Sequence, residues 1–204
     1  MREIRITSRE EFVTALSSYL KVDVPDSLVV EERSTLQLMN KDDIGGIIAE
    51  GSKQSFFGSA VLDDVNGRVF SNIIVPLSFC EDHFPDYPML PMAKLGQIMA
   101  QVGSILVLSV DDENSKDHGK MMALAASVEG IKSFTPKING RRKPFIIPGD
   151  NLLLVAEFSG DKLSTKSTLV SVYVSGQLIN TMALTYTVMP FDLFKKIYER
   201  QQPT

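Results

Sequence analysis

A proline-rich segment that runs directly into a long apolar stretch constrains the fold of this chain more than any other feature. Residues 81–91 read Glu-Asp-His-Phe-Pro-Asp-Tyr-Pro-Met-Leu-Pro, and residues 95–110 are mostly apolar. Proline fixes its own φ angle and restricts the residue before it, so this backbone is stiff. Because Pro91 suits the first turn of a helix, the pattern predicts a rigid loop leading into a buried helix. The loop carries His83, and an imidazole on a rigid loop beside a helix N-terminus can transfer protons.

The rest of the sequence predicts helices and antiparallel strands around that helix. A capping box of Ser8 and Glu11 begins the first helix, and Asn66-Gly67 is a strong hairpin signal. The predicted helices are residues 9–20, 41–49, 91–110 and 191–201. The predicted strands are residues 56–65, 68–77, 121–134, 151–158, 165–174 and 177–188. This order indicates an α+β fold in which an antiparallel sheet wraps around one long central helix.

Composition bounds the domain organisation and argues against several functions. The 204 residues, 44% of them hydrophobic, suit one domain at residues 40–190, with a helical N-terminal extension at residues 1–39 and a C-terminal helix at residues 191–204. The net charge of −4 gives no indication of a nucleic-acid partner. Cys80 is the single cysteine, so it is expected to pack rather than to form a disulfide. With no apolar leader and no charge-free run of membrane-spanning length, we expect a cytoplasmic protein without a membrane partner.

The proline-rich segment and the apolar stretch together resemble the loop and central helix of the hot-dog-fold 3-hydroxyacyl-[acyl-carrier-protein] dehydratases, the FabZ and FabA type. The positions that match the family's pattern, without a gap over 19 residues, are His83, Phe84, Pro85, Pro88, Pro91, Met99, Ala100 and Gln101. The resemblance covers about residues 40–190 and implies a hot-dog fold. Three positions depart from the pattern, because Asp86 and Met92 replace two glycines and Gln97 replaces the catalytic acid.

The resemblance implies a role for each residue of the site. In the family, the histidine that matches His83 takes the C2 proton of a thioester-bound acyl chain, and loss of water gives a trans-2-enoyl product. Phe84, Pro91, Met92 and Gln101 are expected to contact the substrate. The backbone N–H of Met92, at a helix N-terminus, suits the thioester carbonyl. No metal or redox cofactor is implied, since the acyl chain is carried on phosphopantetheine.

Gln97 leaves the chemistry open. The family's acid at this position protonates the departing hydroxyl, whereas an amide can only hydrogen-bond. Three alternatives follow. Water or the carboxylate of Asp82 or Asp86 substitutes for the acid. Otherwise the reaction is a double-bond isomerisation that needs His83 alone, or the site binds acyl chains without turnover. A non-catalytic acyl-binding or assembly partner with the same fold is therefore an alternative. A thioesterase is a weaker alternative, since that branch generally needs a carboxylate or an activated water that Gln97 does not supply.

The resemblance also indicates partners. These are acyl carrier protein or a coenzyme A thioester, and a second copy of the chain in a homodimer where one subunit's histidine meets the other's central helix. The basic run at residues 137–143 is a weak candidate for contact with a carrier protein. Gln97 and Gln101 share one side of the predicted helix, and Lys94, one turn earlier, is expected to be solvated. The apolar side, expected to back the sheet and border an acyl tunnel, comprises Leu95, Ile98, Met99, Val102, Ile105 and Leu106.

Overall fold

One antiparallel sheet of eight strands forms the frame of the molecule. In this computed structural model the described residues are 1–28, 34–48, 56–81, 86–111, 121–162 and 165–201. The strands are β1 (Arg2–Ile6), β2 (Ser34–Asn40), β3 (Ser59–Asp63), β4 (Arg68–Ile74), β5 (Met121–Ser133), β6 (Lys137–Ile138), β7 (Arg141–Arg142), β8 (Asn151–Lys162), β9 (Thr165–Val174) and β10 (Gln177–Pro190). The helices are α1 (Arg9–Leu20), α2 (Lys41–Ile47), α3 (Met92–Asp111) and α4 (Phe191–Gln201). The strand order is β1-β2-β3-β4-β8-β9-β10-β5, and β6 and β7 form a separate hairpin.

Helix α3 lies on the inner face of the sheet, where branched apolar residues fill its buried side. Ile98, Val102 and Ile105 have no exposed surface. Because such residues recur three or four positions apart, one side of α3 packs against the sheet and the other stays partly exposed. By length and composition alone Met92–Val110 is a candidate membrane span, but half of it is buried inside the protein. Packing in the core therefore accounts for its apolar character.

Helix α3 comes close to the sheet at Gly103. The hydroxyl of Tyr186, on β10, donates to the Ala100 carbonyl at 2.8 Å. A Cβ atom placed on Gly103 would overlap that hydroxyl group. Burial raises the pKa of Tyr186, so the phenol stays protonated and keeps its role as donor. Glycine at position 103 is thus what allows the helix and the tyrosine to meet.

Helix α1 covers the outer face of the sheet, so the sheet has an apolar core on both sides. Its buried residues, spaced as one helical side requires, are Phe12, Leu16 and Leu20. The Phe12 ring meets the Phe70 ring edge-on, with 5.6 Å between centroids. The guanidinium of Arg68 lies over the Phe70 ring and pairs with the buried Asp63 carboxylate at 2.7 Å. The charged pair is therefore buried beneath the helix.

The predicted α+β architecture is confirmed, but the description of residues 1–39 as a helical extension is incomplete. Strands β1 and β2 lie in or overlap this segment, and β2 pairs with β3 in the main sheet. Along β2, Leu36 and Leu38 join the cluster under α1, whereas Met39 joins the core around α3. The apolar and polar residues of this segment alternate only briefly after a charged connector, which is a weak strand signal. Pairing with β3 stabilises the segment as a strand. The other predicted helices and strands are present, with ends shifted by a few residues.

Candidate functional site

The predicted histidine loop is entered from a defined turn. His83 and Phe84, with the neighbouring Asp82, lie outside the described residues. Before them, a single 3-10 turn at Leu77–Phe79 ends where the Cys80 amide donates to the carbonyl of the first turn residue at 2.8 Å. The end of β4 therefore leads into the loop through a fixed change of direction.

Residues 144–150 support the other end of the loop. The Gly149 amide donates to the Val75 carbonyl at 2.9 Å, which fixes this turn to the residue that follows β4. Gly149 has φ 86°, a conformation that favours glycine. On the same turn, the Ile146 carbonyl accepts from the Leu90 amide at 2.8 Å. The chain is thereby positioned just before α3 begins.

A cavity of about 280 Å³ lies at the N-terminal end of α3. Residues 89–92 line one side of it, the end of β5 and the start of β10 line another, and residues 144–146 complete it. Pro91 and Met92, both predicted to contact substrate, are among the lining residues. Met92 is the first helical residue, and the amides of a first turn lack partners within their helix. The cavity is thus bordered by a positive helix end and by mostly apolar side chains.

The two glutamines of α3 have different environments. Gln101 is partly buried, and its Oε1 accepts from the Phe56 backbone N–H at 2.7 Å. Gln97, one turn earlier, is exposed. Asp86, one possible substitute acid, is exposed in the turn after the loop. Gln101 therefore anchors the segment before β3, whereas Gln97 is accessible.

Lys94 is only partly solvated, whereas the sequence predicted a solvated residue. Its Nζ lies 4.9 Å from the centroid of the Phe56 ring and 4.6 Å from that of the Phe79 ring. Aromatic faces attract a cation, so the two rings hold the ammonium in place. We call Lys94, Phe56 and Phe79 the lysine cage. Periodicity gave no signal for it, because the three residues come from separate parts of the chain.

The apolar side of α3 is core rather than cavity wall for most of its length. Of the six residues predicted to border an acyl tunnel, Leu95 lines the cavity described above. All six are buried in the core shared with the sheet. The cavity walls that sequence patterns missed are Phe134, Phe145 and Ile146. These residues lie outside the predicted helix and meet it only through the fold.

The basic run divides into two parts. Lys143 is partly buried and pairs with the Asp150 carboxylate at 2.7 Å, so it supports the turn at residues 144–150. Lys137, Arg141 and Arg142 are exposed on the β6–β7 hairpin. Those three are the part of the run that is accessible to a partner.

Cys80 behaves as the packing residue that the sequence predicted. It has no exposed surface, and burial raises the pKa of its thiol, with further contributions from Asp150 and Glu81. A thiol kept protonated is a poor nucleophile. Within the described residues, no group of three histidine, cysteine or acidic side chains is placed to hold a metal ion.

Strand β5 is an exposed edge of the sheet. It pairs with β10 on one side and is the last strand of the order on the other. Two of its apolar side chains, Val128 and Ile131, are 55% and 53% exposed. A long apolar edge of this kind favours pairing with another chain.

Curated relatives of the chain include 3-hydroxyacyl-[acyl-carrier-protein] dehydratases. FabZ, the 3-hydroxyacyl-[acyl-carrier-protein] dehydratase of Oleidesulfovibrio alaskensis, is 31% identical over 132 residues, which are 63% of this chain and 78% of that protein. The FabZ of Lawsonia intracellularis is 29% identical over 118 residues, 58% and 70% of the two chains. No protein-family model matches the chain.

Solved structures with the same fold include dehydratases and thioesterases. A chain of the dehydratase heterocomplex ApeI:P from Xenorhabdus doucetiae superposes with a TM-score of 0.58 at 13% identity, over 76% of this chain and 96% of that one. The fluoroacetyl-CoA thioesterase FlK gives a TM-score of 0.51 at 12% identity, over 67% and 95%. The predicted hot-dog fold is thereby confirmed. The sequence identity of 31% over 78% of a FabZ dehydratase shows the family as well as the fold. This chain belongs to the FabZ-type 3-hydroxyacyl-[acyl-carrier-protein] dehydratase family.

Proposed function

We propose that the protein dehydrates 3-hydroxyacyl thioesters whose acyl chain is carried on the phosphopantetheine of acyl carrier protein or coenzyme A. His83 acts as the base that takes the C2 proton. Its place in the loop supports this role, because the match to the family pattern runs without a gap from His83 to Gln101. FabZ-type dehydration needs no cofactor. The relatives support a cytoplasmic protein of fatty-acid synthesis.

The cavity at the start of α3 is the observation that carries this proposal. A thioester carbonyl placed there can accept from the Met92 N–H, and the positive end of the helix stabilises the negative charge that forms when C2 loses its proton. Pro91 borders the substrate there, and Phe134 and Phe145 offer apolar surface to the acyl chain. Contact of Phe84 with the substrate is supported by the family pattern alone. Gln101 positions the segment around Phe56 rather than reacting.

The functional unit that we propose is a homodimer. The exposed edge of β5 supports this, because two copies of a long apolar edge can pair and continue the sheet. In that arrangement His83 of one subunit meets α3 of the other, on the side that carries Gln97. Lys137, Arg141 and Arg142 are the exposed cations that an acidic carrier protein would meet.

Gln97 makes isomerisation a second reaction for the same site. Moving a double bond from C2–C3 to C3–C4 requires removal and return of a proton but no departing hydroxyl. Such a reaction needs His83 and the Met92 N–H, and it makes no demand on the residue at position 97.

The test is mass spectrometry of 3-hydroxyacyl and 2-enoyl thioesters, on carrier protein and on coenzyme A, after incubation in deuterated water. Loss of 18 Da (one water) by the wild type, absent with His83→Ala, is the result expected of a dehydratase. Deuterium uptake or a moved double bond without water loss indicates the isomerase. Equal spectra for the wild type and His83→Ala contradict both reactions.

A non-catalytic assembly partner is the alternative from a different class. The exposed β5 edge favours it equally, and the likeness to a chain of a dehydratase heterocomplex makes a partner of related fold a reasonable candidate. The variant Gln97→Glu separates the alternatives. A gain of dehydration indicates an otherwise competent site, and no gain, with an acyl chain still bound, indicates a binding role. A thioesterase, the weakest alternative, would release free thiol from the same substrates.

A further inference from the structure

Two polar side chains stand out among the described residues that line the cavity at the start of α3. They belong to Ser133, the last residue of β5, and Asn180, on β10. The other described lining residues have apolar side chains, so side-chain hydrogen bonds to a ligand are concentrated at one place in this lining. That place is the wall formed by the end of β5 and the start of β10.

The sheet directs the side chain of Asn180 toward α3. Side chains along a strand alternate between its two faces, and Met182 and Leu184 of β10 belong to the core around α3. Asn180 therefore shares the inner face, and it is 2% exposed. The register between β9 and β10 shifts between Leu178 and Asn180. Such a bulge re-aims side chains, which explains how the neighbours Ile179 and Asn180 both line the cavity.

The side-chain amide of Asn180 has a partner for its nitrogen but none for its oxygen. Its Nδ2 donates to Ser133 Oγ at 2.9 Å, whereas its buried Oδ1 accepts from no group in the part of the chain that the structure describes. The two residues lie opposite each other in the register of β5 and β10, and the Phe134 N–H donates to the Ile179 carbonyl at 2.7 Å beside them. The pair is thus held in place by the strands. A buried acceptor without a donor costs free energy, which a hydrogen bond from a ligand recovers.

The pair offers a ligand one acceptor and one donor. Asn180 Oδ1 can accept, and Ser133 Oγ, which accepts from the amide nitrogen, keeps its own hydrogen to donate. A hydroxyl group both donates and accepts, so one hydroxyl satisfies both atoms. The amides of the first turn of α3, which lack partners within the helix, offer donors to a carbonyl oxygen in the same cavity. The cavity therefore matches a molecule that carries a carbonyl and a nearby hydroxyl.

We propose that Asn180 and Ser133 bind the 3-hydroxyl group of the acyl chain, an inference that rests on the proposed substrate class. The hydroxyl donates to Asn180 Oδ1 and accepts from the Ser133 hydroxyl, while the thioester carbonyl lies at the N-terminal end of α3. No proton is transferred in these contacts, so the pair positions the leaving group and selects hydroxylated chains. A chain without the hydroxyl leaves the amide oxygen unpaired and binds more weakly.

The test measures binding without turnover, by titration calorimetry of two thioethers of pantetheine. One carries a 3-hydroxyhexyl chain, with each enantiomer measured separately, and the other carries a hexyl chain. Neither has the carbonyl that makes a C2 proton removable, so neither is dehydrated. We expect the wild type to bind one hydroxylated enantiomer about tenfold more tightly than the hexyl chain, and Asn180→Leu to bind the two equally. The ratio of dissociation constants within one variant is independent of the fraction that is folded.

The matched control is Asn151→Leu, which should keep the tenfold ratio. It removes another side-chain amide whose buried Oδ1 lacks a partner among the described residues and whose Nδ2 donates to the Lys21 carbonyl, but Asn151 lines a different cavity. If Asn180→Leu does not fold, Ser133→Ala, at an exposed residue, removes the donor of the pair and should reduce the ratio to about threefold.

Two results overturn the assignment. One is a wild type that binds both chains equally. The other is a ratio that Asn180→Leu leaves unchanged, including a variant that binds both thioethers more weakly to the same extent, which would indicate contact with the pantetheine arm. A ratio that depends on Asn180, together with no water loss from 3-hydroxyacyl thioesters, supports the hydroxyl site and contradicts the proposed dehydration.

Discussion

The two edges of the sheet differ in length and in chemistry. Strand β1 has five residues, three of them charged, namely Arg2, Glu3 and Arg5. Strand β5 has thirteen, and its exposed apolar residues include Val128 and Ile131. Charges on a short edge strand discourage further pairing, whereas a long apolar edge invites it. The comparison indicates that the N-terminal segment ends the sheet on one side and leaves β5 as the open edge on the other, where the proposed dimer would form.

The N-terminal segment also supplies the cover of the outer face. Helix α1 follows β1 directly and buries Phe12 against Phe70, while α3 occupies the inner face. One end of the sheet thus carries the apolar core under α1, and the other carries the open edge. The variants below break one end while leaving the other intact.

The largest effect is expected from placing charge on the open edge. If the protein is the proposed homodimer, the double variant Val128→Lys/Ile131→Lys should halve the mass measured by light scattering. It should also lower the proposed dehydratase activity about 100-fold, because each site of the proposed dimer would then lose the subunit that aligns its substrate. Glu3→Lys, on β1, is the matched control and should change neither property. A double variant that keeps the dimer mass would contradict the role of β5.

The next effect concerns the outer core. Phe12→Ala removes a fully buried ring and should lower the free energy of unfolding by about 3–5 kcal/mol in urea titrations. Ser18→Ala, on the exposed side of the same helix, should change it by less than about 0.5 kcal/mol. The activity of the folded fraction should survive in both, and its loss would show that the two faces are coupled.

A smaller effect is expected between α3 and the sheet. Gly103→Ala places a methyl group against the Tyr186 hydroxyl and should destabilise the protein by about 1–3 kcal/mol. In a double-mutant cycle, Tyr186→Phe should recover part of this loss, because it removes the oxygen that the methyl group meets. Strict additivity of the two changes would show that the overlap is relieved elsewhere.

The smallest effect is a pH dependence at the β1 end. The Asn40 amide and the N-terminal ammonium, at 2.9 and 3.1 Å, hold the pKa of Asp43 below its usual range. The folded protein therefore binds fewer protons at Asp43 than the unfolded chain does. The Asp43 carboxylate stabilises the fold at pH values above the ordinary carboxyl pKa, and this stabilisation is lost as the pH falls through the lowered pKa. Asp43→Asn should thus lower the midpoint of urea unfolding at pH 7 and change it little near pH 3. An equal change of the midpoint at pH 7 and near pH 3 would exclude the carboxylate charge as the cause.

The sequence by itself determined the local features of this protein. Capping residues set the starts of α1 and α2, Asn66-Gly67 set the turn between β3 and β4, and apolar spacing identified α3. The ungapped pattern from His83 to Gln101 pointed to the family that the relatives then showed. Each of these signals depends on residues close together in the chain, where backbone geometry fixes what neighbours can do.

Tertiary structure alone decided how distant segments meet. The local sequence predicts a solvated Lys94, yet its Nζ lies 4.9 and 4.6 Å from the centroids of the Phe56 and Phe79 rings. Gln101 acquires its partner from the segment before β3, and β2 becomes a strand only by pairing with β3. Such contacts join residues far apart in sequence, and their free energy depends on the packing of the whole sheet around α3. Periodicity and propensity describe a chain segment on its own and therefore do not contain them.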